Sequence, residues 1–337
     1  MTAIERLSHP GTRAPGTRAP ATQVTVVTPV FNEEQTLGTY AERVQATLFS
    51  QTDYDVRVLL VDDGSRDQSW SLIQDICQRD SRSQGLRLSR NFGSHAALAA
   101  GLHHATGDVI AILACDLQDP PEVVLQFLEE WRGGAQIVWG RRRTRADSRW
   151  RIWASQTFDV LTRRYAMPSG SKFTTGSFLL MDRRVLECYR QFHERRRVTF
   201  ALVAWTGFRQ AVVDYDRQAR VAGQPAWKLK QLFSSAYDTF LGFSRVPFGF
   251  MTAIGAGMFF LSIPACFYLL WCYVTGNPQP GWTSLMMALT MLFGLQFMFM
   301  SVLGEYLSRI YCEAVGRPLY FISQDTRQQQ TQCDVAA

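Results

Sequence analysis

The sequence predicts an α/β domain on a mostly parallel sheet with helices on both faces, followed by a part that meets a membrane. Three observations predict it. Short β-branched apolar runs alternate with helical stretches up to about residue 140. Each of the main runs ends in a polar cluster rather than in more apolar residues. Two long apolar runs, 248–274 and 285–307, come near the end of the chain.

Residues 24–30, VTVVTPV, have the composition of a buried strand. A second strand is expected over 56–61, running into Asp62, Asp63, Gly64 and Ser65. A short third covers 86–88, a fourth 109–113 ends near Asp116, and a fifth 137–139 ends at Gly140 and Arg141. Helices are expected over 34–49, 68–79, 95–105 and 121–131. Their expected caps are Asp67 or Ser65, then Ser94, then Asp119 followed by Pro120 and Pro121. In open α/β sheets ligands bind beyond the carboxyl ends of the strands, so the polar strand ends are the expected site.

Residues 1–21 read as a disordered arm, since GTRAP occurs twice there and no apolar face exists. No signal-peptide core is visible in that stretch. Residues 22–227 then supply enough chain for one domain with a real core. The net charge of +6 is modest and no basic stripe with interleaved aromatics is present, so a nucleic-acid partner is not expected. Arginine clusters at 141–145, 149–151, 163–164 and 195–197 suit phosphate or anionic lipid, although a solvated face is the plainer reading of the last. The seven cysteines lack metal-ligand spacing, which points to a reducing compartment. Adjacent His103 and His104 cannot share a helix face, and His95 stands alone.

Each terminal apolar run is long enough, at about 1.5 Å per residue, to cross a hydrocarbon core of roughly 30 Å. The connection 275–284 carries no charge, whereas Lys228, Lys230 and Arg245 precede the first run and Arg309 and Arg317 follow the second. The positive-inside rule then places the domain and both termini in the cytoplasm, with a multi-pass anchor in the inner (plasma) membrane. Residues 228–246 read as an amphipathic juxtamembrane helix, 247–308 as the two spans and 309–337 as a cytoplasmic tail. Gly294, Gly304 and other small residues in the spans permit helix packing, so a homo-oligomer is open.

Asp62 and Asp63 at a strand end can accept hydrogen bonds from a base N–H and a ribose hydroxyl, although one of them can instead brace the turn into the next helix. Gly64 allows close backbone approach. Asp116 and Gln118 offer oxygen ligands of the kind a hard divalent ion takes when diphosphate oxygens and water fill its remaining positions.

The segments TPVFNEE (28–34), VDDGS (61–65), LSRNFGSHAALAAGL (88–102), CDLQDPPE (115–122), VWGRR (138–142), LLMDRRV (179–185), RVAG (220–223), GEY (304–306) and RPLY (317–320) occur in family order. Together the sequence resembles a family 2 glycosyltransferase of the GT-A fold. Within that family it is most similar to the polyprenyl-phosphate glycosyltransferases, the group that includes dolichol-phosphate mannose synthase.

The resemblance implies a nucleotide-diphospho-sugar donor held by Pro29, Phe31, Glu33, Asp62, Asp63, Gly64 and Ser65. It implies Mg²⁺ or Mn²⁺ at Asp116 and Gln118, with Asp116 and Arg141 as catalytic residues. It implies an acceptor phosphate met by Arg141, Arg143, Arg145, Ser177, Arg220 and Lys228. Four departures stand out: Ala114 replaces the first metal carboxylate, Ser177 and Leu179 replace an Asp and an Arg, and Ala226 replaces a Lys. A phosphate nucleophile is already ionised near neutral pH, so loss of a base is tolerable, and placing two anions in line is the main task.

The expected activity is inverting transfer of a hexose to undecaprenyl phosphate on the cytoplasmic leaflet, feeding cell-envelope glycan or lipopolysaccharide modification. A glycolipid or saccharide acceptor is the first alternative. A non-catalytic nucleotide-binding relative that regulates glycan synthesis is the second.

Overall fold

The computed structural model describes residues 21–143, 178–194, 197–218 and 281–327, with scattered positions between 254 and 275. Its frame is an eight-stranded sheet. The apolar runs anticipated above form β1 (Thr22–Val30), β2 (Tyr54–Asp62), β3 (Ser83–Leu88), β4 (Val109–Ile112) and β5 (Ile137–Arg142). Between them run α1 (Leu37–Thr47), α2 (Ser69–Arg79), α3 (Ser94–His104) and α4 (Val123–Arg132). Further elements follow: β6 (Leu179–Asp182), α5 (Arg183–Arg190), α6 (Thr199–Trp205), β7 (Gln210–Tyr215), the long α7 (Trp282–Val315) and β8 (Ile322–Asp325).

The strand order is β7-β5-β6-β4-β1-β2-β3-β8. Pairing is parallel except where β6 meets β4 and β5 and where β8 meets β3. The order reverses at β1, between β2 and β4, which is the switch point where ligands of open α/β sheets bind.

Side chains of successive strand residues go to opposite faces, and the chain uses this to build two cores. Val24, Val26, Val58 and Leu60 pack with α1, α2 and α4 on one face. Val27, Leu59, Val61, Ile110 and Ile112 pack with α3, α5 and α6 on the other. Helix α3 lies very close to the sheet. A Cβ on Gly101 would stand 2.4 Å from Val27 Cγ1 and 3.1 Å from Val61 Cγ2, so a bare backbone is needed there.

The expected caps are corrected. The residues preceding α2, α3 and α4 are Gln68, Gly93 and Glu122, and none makes a side-chain cap bond. Asp67 does accept from the Ser69 amide at 3.0 Å, one residue inside α2. Ser94 is the first residue of α3 rather than its cap. Asp119 is buried and takes the Tyr215 hydroxyl instead, at 2.5 Å.

The expected hairpin is described in part. Most of 248–274, and all of 228–246, lie outside the described residues. The second apolar run sits inside α7, but several of its side chains are outside the described set, and no helix of described residues is long and apolar enough to cross a membrane. Within the segment expected as the tail, the chain returns to the domain after α7 as β8 and pairs along one sheet edge.

Gly101→Ala is expected to lower stability by about 1–3 kcal/mol through overpacking against Val27, read as a drop in thermal midpoint. Adding Val27→Ala should recover part of the loss. A Gly101→Ala chain as stable as the parent would place α3 farther from the sheet than described.

Candidate active site

The carboxyl ends of β1, β2 and β4 meet at the switch point, and three loops converge there. The first two are laced together. The Asn32 amide donates to Ser65 Oγ at 2.9 Å, the Glu33 amide to Ser69 Oγ at 2.9 Å and the Arg66 amide to Asn32 Oδ1 at 3.0 Å. Glu34 and Asp67 exchange similar bonds with each other's strand end, through the Gln68 and Glu34 amides. The result is a cleft of about 410 Å³ walled by residues 32–36 with Arg66 and Asp67. Phe31 is exposed beside it, Pro29 is half-buried, and the half-buried Glu33 accepts the Thr36 hydroxyl at 2.8 Å.

The paired aspartates at the end of β2 are both buried. Asp62 accepts the Ser65 amide at 3.0 Å, which is the turn-bracing alternative read from the sequence. Its second oxygen lies 3.2 Å from Arg87 Nε, in a charge contact that forms no hydrogen bond. Asp63 spends both oxygens on the next loop, taking the Phe92 amide at 2.8 Å and the Gly93 amide at 2.9 Å. Burial pushes the Asp63 carboxyl up to about 6, against the pull of those two amides. Gly64, between Asp63 and Ser65, sits at φ +68, and a Cβ there would stand 2.5 Å from the Arg90 carbonyl carbon. Both side chains thus make bracing contacts within the strand-end loops.

The β4 end carries the expected metal residues. Leu117 is buried with φ 55, a costly conformation for leucine, and it turns Asp116 and Gln118 to the partly exposed side. Asp116 Oδ1 accepts the Gln118 amide at 3.2 Å. Arg217 Nη2 lies 4.0 Å from Asp116 Oδ2. One carboxylate and one amide oxygen, with no cluster of three or more acidic, histidine or cysteine ligands among the described residues, fit a divalent ion that draws its other ligands from a diphosphate and water.

Strand β5 sorts its arginines by parity. Trp139 belongs to the α3-side core, Val138 to the α4-side core, and the alternation continues past Gly140. Arg141 is exposed and paired with Asp214 through two bonds of 2.6 and 2.8 Å. That engagement occupies the Nε and Nη2 donors of Arg141. Arg142, on the other face, has a buried Nε with no hydrogen bond and stands near Arg217 and the Tyr215 hydroxyl. Arg143 is exposed, while Arg145, Ser177, Arg220 and Lys228 lie outside the described residues.

Sequence reading missed Arg217. It follows β7, where Gln218 N bonds Gln118 O at 2.9 Å and Arg43 reaches both Gln218 and Glu122, so this segment is fastened to the Asp116 loop. The Arg217 Nε is buried without a hydrogen bond, 3.7 Å from the buried Asp119. Burial, and then the like charge of Arg142, pull its guanidinium below the usual range. Two cations within each other's electrostatic reach, each with a buried Nε that makes no hydrogen bond and with Arg217 4.0 Å from Asp116, suit an anion with several oxygens. The signal that could have located Arg142 and Arg217 is period-2 alternation carried to the ends of β5 and β7.

Residues 25–190 match glycosyl transferase family 2. An uncharacterized glycosyltransferase of Synechocystis sp. is 35% identical over 89% of this chain and 95% of its own. The bactoprenol glucosyl transferase of Shigella phage SfII is 34% identical over 90% of this chain and 99% of its own. The prophage bactoprenol glucosyl transferase homolog of Escherichia coli K12 is 33% identical over 90% and 99%. Among solved structures, glucosyl-3-phosphoglycerate synthase of Mycobacterium tuberculosis, in complex with Mn²⁺ and UDP, is similar at TM-score 0.46 and 17% identity, covering 64% of this chain and 76% of that one.

The Asp63 carboxyl is expected to titrate near pH 6 in a carbon-13 NMR titration. Its unfolded value is about 3.9, so across that window the native chain holds a proton the unfolded chain releases. Asp63 therefore lowers stability as pH rises from about 4 to 6. A midpoint near 4 would contradict the burial that the structure assigns.

Proposed function

The chain belongs to glycosyl transferase family 2, and on that premise we propose that it transfers a hexose from a nucleotide sugar to a polyprenyl phosphate at a membrane surface. The names of its bactoprenol glucosyl transferase relatives support that acceptor. The observation that carries the reading is the Arg142–Arg217 pair beside Asp116, at the switch-point edge of the sheet. Transfer to a lipid phosphate brings two anions together, the donor diphosphate and the acceptor monoester, and the site must hold both without neutralising the nucleophile. Paired guanidiniums do this by directed donors rather than by proton transfer.

The proposed reaction is direct. An acceptor phosphate oxygen attacks the anomeric carbon, the bond to the diphosphate breaks on the opposite side, and the configuration inverts. No general base is needed, because the acceptor oxygen is already charged near pH 7. Asp116 and Gln118 would hold Mg²⁺ or Mn²⁺, which when bound supplies charge stabilisation to the departing diphosphate. Arg142 and Arg217 orient phosphate oxygens. The laced loops at the ends of β1 and β2 seat the nucleoside, and Asp62 and Asp63 fix those loops from beneath.

The two apolar runs serve as the anchor in this reading, with the domain and both termini on the cytoplasmic side of the inner membrane. Anchoring brings a lipid-borne acceptor and a soluble donor to one edge of the sheet. Arg143, Arg145, Ser177, Arg220 and Lys228 remain acceptor-side proposals, and self-association through the spans completes the picture.

Full-length chain in nanodiscs, given undecaprenyl phosphate and a panel of nucleotide sugars, is expected to yield a glycosylated carrier. Product on a glycolipid acceptor instead of the lipid phosphate would overturn the acceptor assignment. In the same assay Arg142→Ala and Arg217→Ala are each expected to lower turnover about 100-fold, while Arg141→Ala changes it only a few-fold. The reverse order would return the phosphate role to Arg141.

A further inference from the structure

The tail that follows α7 does more than cover a sheet edge. Helix α7 ends at Gly316, whose φ of 65 and amide bond to Glu313 O stop the helix, and only residues 316–321 separate it from β8. Strand β8 then pairs antiparallel with β3, placing Gln324 opposite Arg87. The tail's side chains fasten the joint. Trp70 Nε1 donates to Gln324 Oε1 at 2.5 Å, the Gly85 amide to Thr326 Oγ1 at 2.9 Å and Ser323 Oγ to Arg87 O at 3.1 Å. Beyond β3 the Ser89 amide donates to Phe321 O at 2.9 Å, and the Phe321 ring meets Phe92 at 6.3 Å.

The residues gripped in this way are the ones that brace the nucleotide pocket. Arg87 is the cation beside buried Asp62, and it also donates to Ser65 O at 3.2 Å. Phe92 and Gly93 supply the two amides that hold Asp63. The tail thus touches β3 and its following loop on one side, and both aspartates touch the same strand and loop on the other.

We propose that residues 320–326 are a positioning element of the nucleotide site, setting donor affinity through Arg87 and the 89–93 loop, so that the donor pocket is complete only when the chain beyond α7 is docked. The inference rests on the strand-end loops seating the nucleoside. Coupling of this kind is reciprocal: whatever the tail does for nucleotide binding, nucleotide must do for tail docking.

Two measurements on the full-length chain test it. In the first, Gln324→Leu combined with Thr326→Val removes both side-chain acceptors, and Gln324→Glu combined with Thr326→Ser keeps them. The first pair is expected to weaken UDP or GDP binding about 10-fold and to raise donor KM with acceptor KM unchanged, while the second pair stays within about 2-fold. A folded Gln324→Leu, Thr326→Val chain that binds nucleotide like the parent overturns the proposal and leaves the tail a simple edge cover. The second measurement needs no variant: UDP or GDP is expected to slow amide hydrogen exchange at 85–89 and 321–326 in the parent chain. Binding with unchanged exchange there overturns the proposal. A parent chain that binds neither UDP nor GDP overturns the site reading itself, which separates the two failures.

Discussion

A buried carboxylate with two backbone amides on it governs this site. Removing an ion from water costs several kcal/mol unless its oxygens are satisfied. Asp63 meets that demand only because the 89–93 loop brings the Phe92 and Gly93 amides to it. The bond pair fixes where α3 starts, since Gly93 immediately precedes it. Gly64 enforces the same register from the other side, because any side chain there would collide with Arg90. Asp62, one residue earlier, repeats the arrangement with Ser65 and Arg87. The acidic pair at the end of β2 is thus a structural hinge pin for the loops around it.

The opposite half of the site is built by repulsion held in check. Arg142 and Arg217 sit close enough for one to depress the other, with Asp116, Asp119 and the Tyr215 hydroxyl as their nearby acceptors. A protein that wanted only stability would separate two such cations or give each a full set of partners. Holding them together with unsatisfied donors fits a site that an anion completes. Asp116 is the one carboxylate in the segment 114–118, and it stands beside these arginines at that edge.

Much of the domain was legible from periodicity. The five apolar runs and four intervening helices fall where expected, because β1, β2 and β4 are rich in Val, Ile and Leu and polar residues follow within a few positions. What escaped has physical reasons. Strand β6 is four residues long and hides in LLMD, β7 carries Gln and Asp, and β8 is fixed by side-chain bonds to Trp70 and Gly85 rather than by an apolar pattern. The site was legible as a location and less so as roles. Adjacent residues such as Arg141 and Arg142 point opposite ways on a strand, and their parity is decided only once the strand's end is known. Asp119 reads as a helix cap in sequence because its partner, Tyr215, lies far along the chain.

We place the donor diphosphate at the edge between Asp116 and the Arg142–Arg217 pair. The most direct measurement is an experimental structure of the full chain in a lipid nanodisc with a bound nucleoside diphosphate. Diphosphate oxygens are expected within hydrogen-bond distance of Arg142 or Arg217 and next to Asp116, with the nucleoside against the 31–36 and 64–67 loops. A diphosphate bound elsewhere, with both guanidiniums out of contact with it, would contradict this placement.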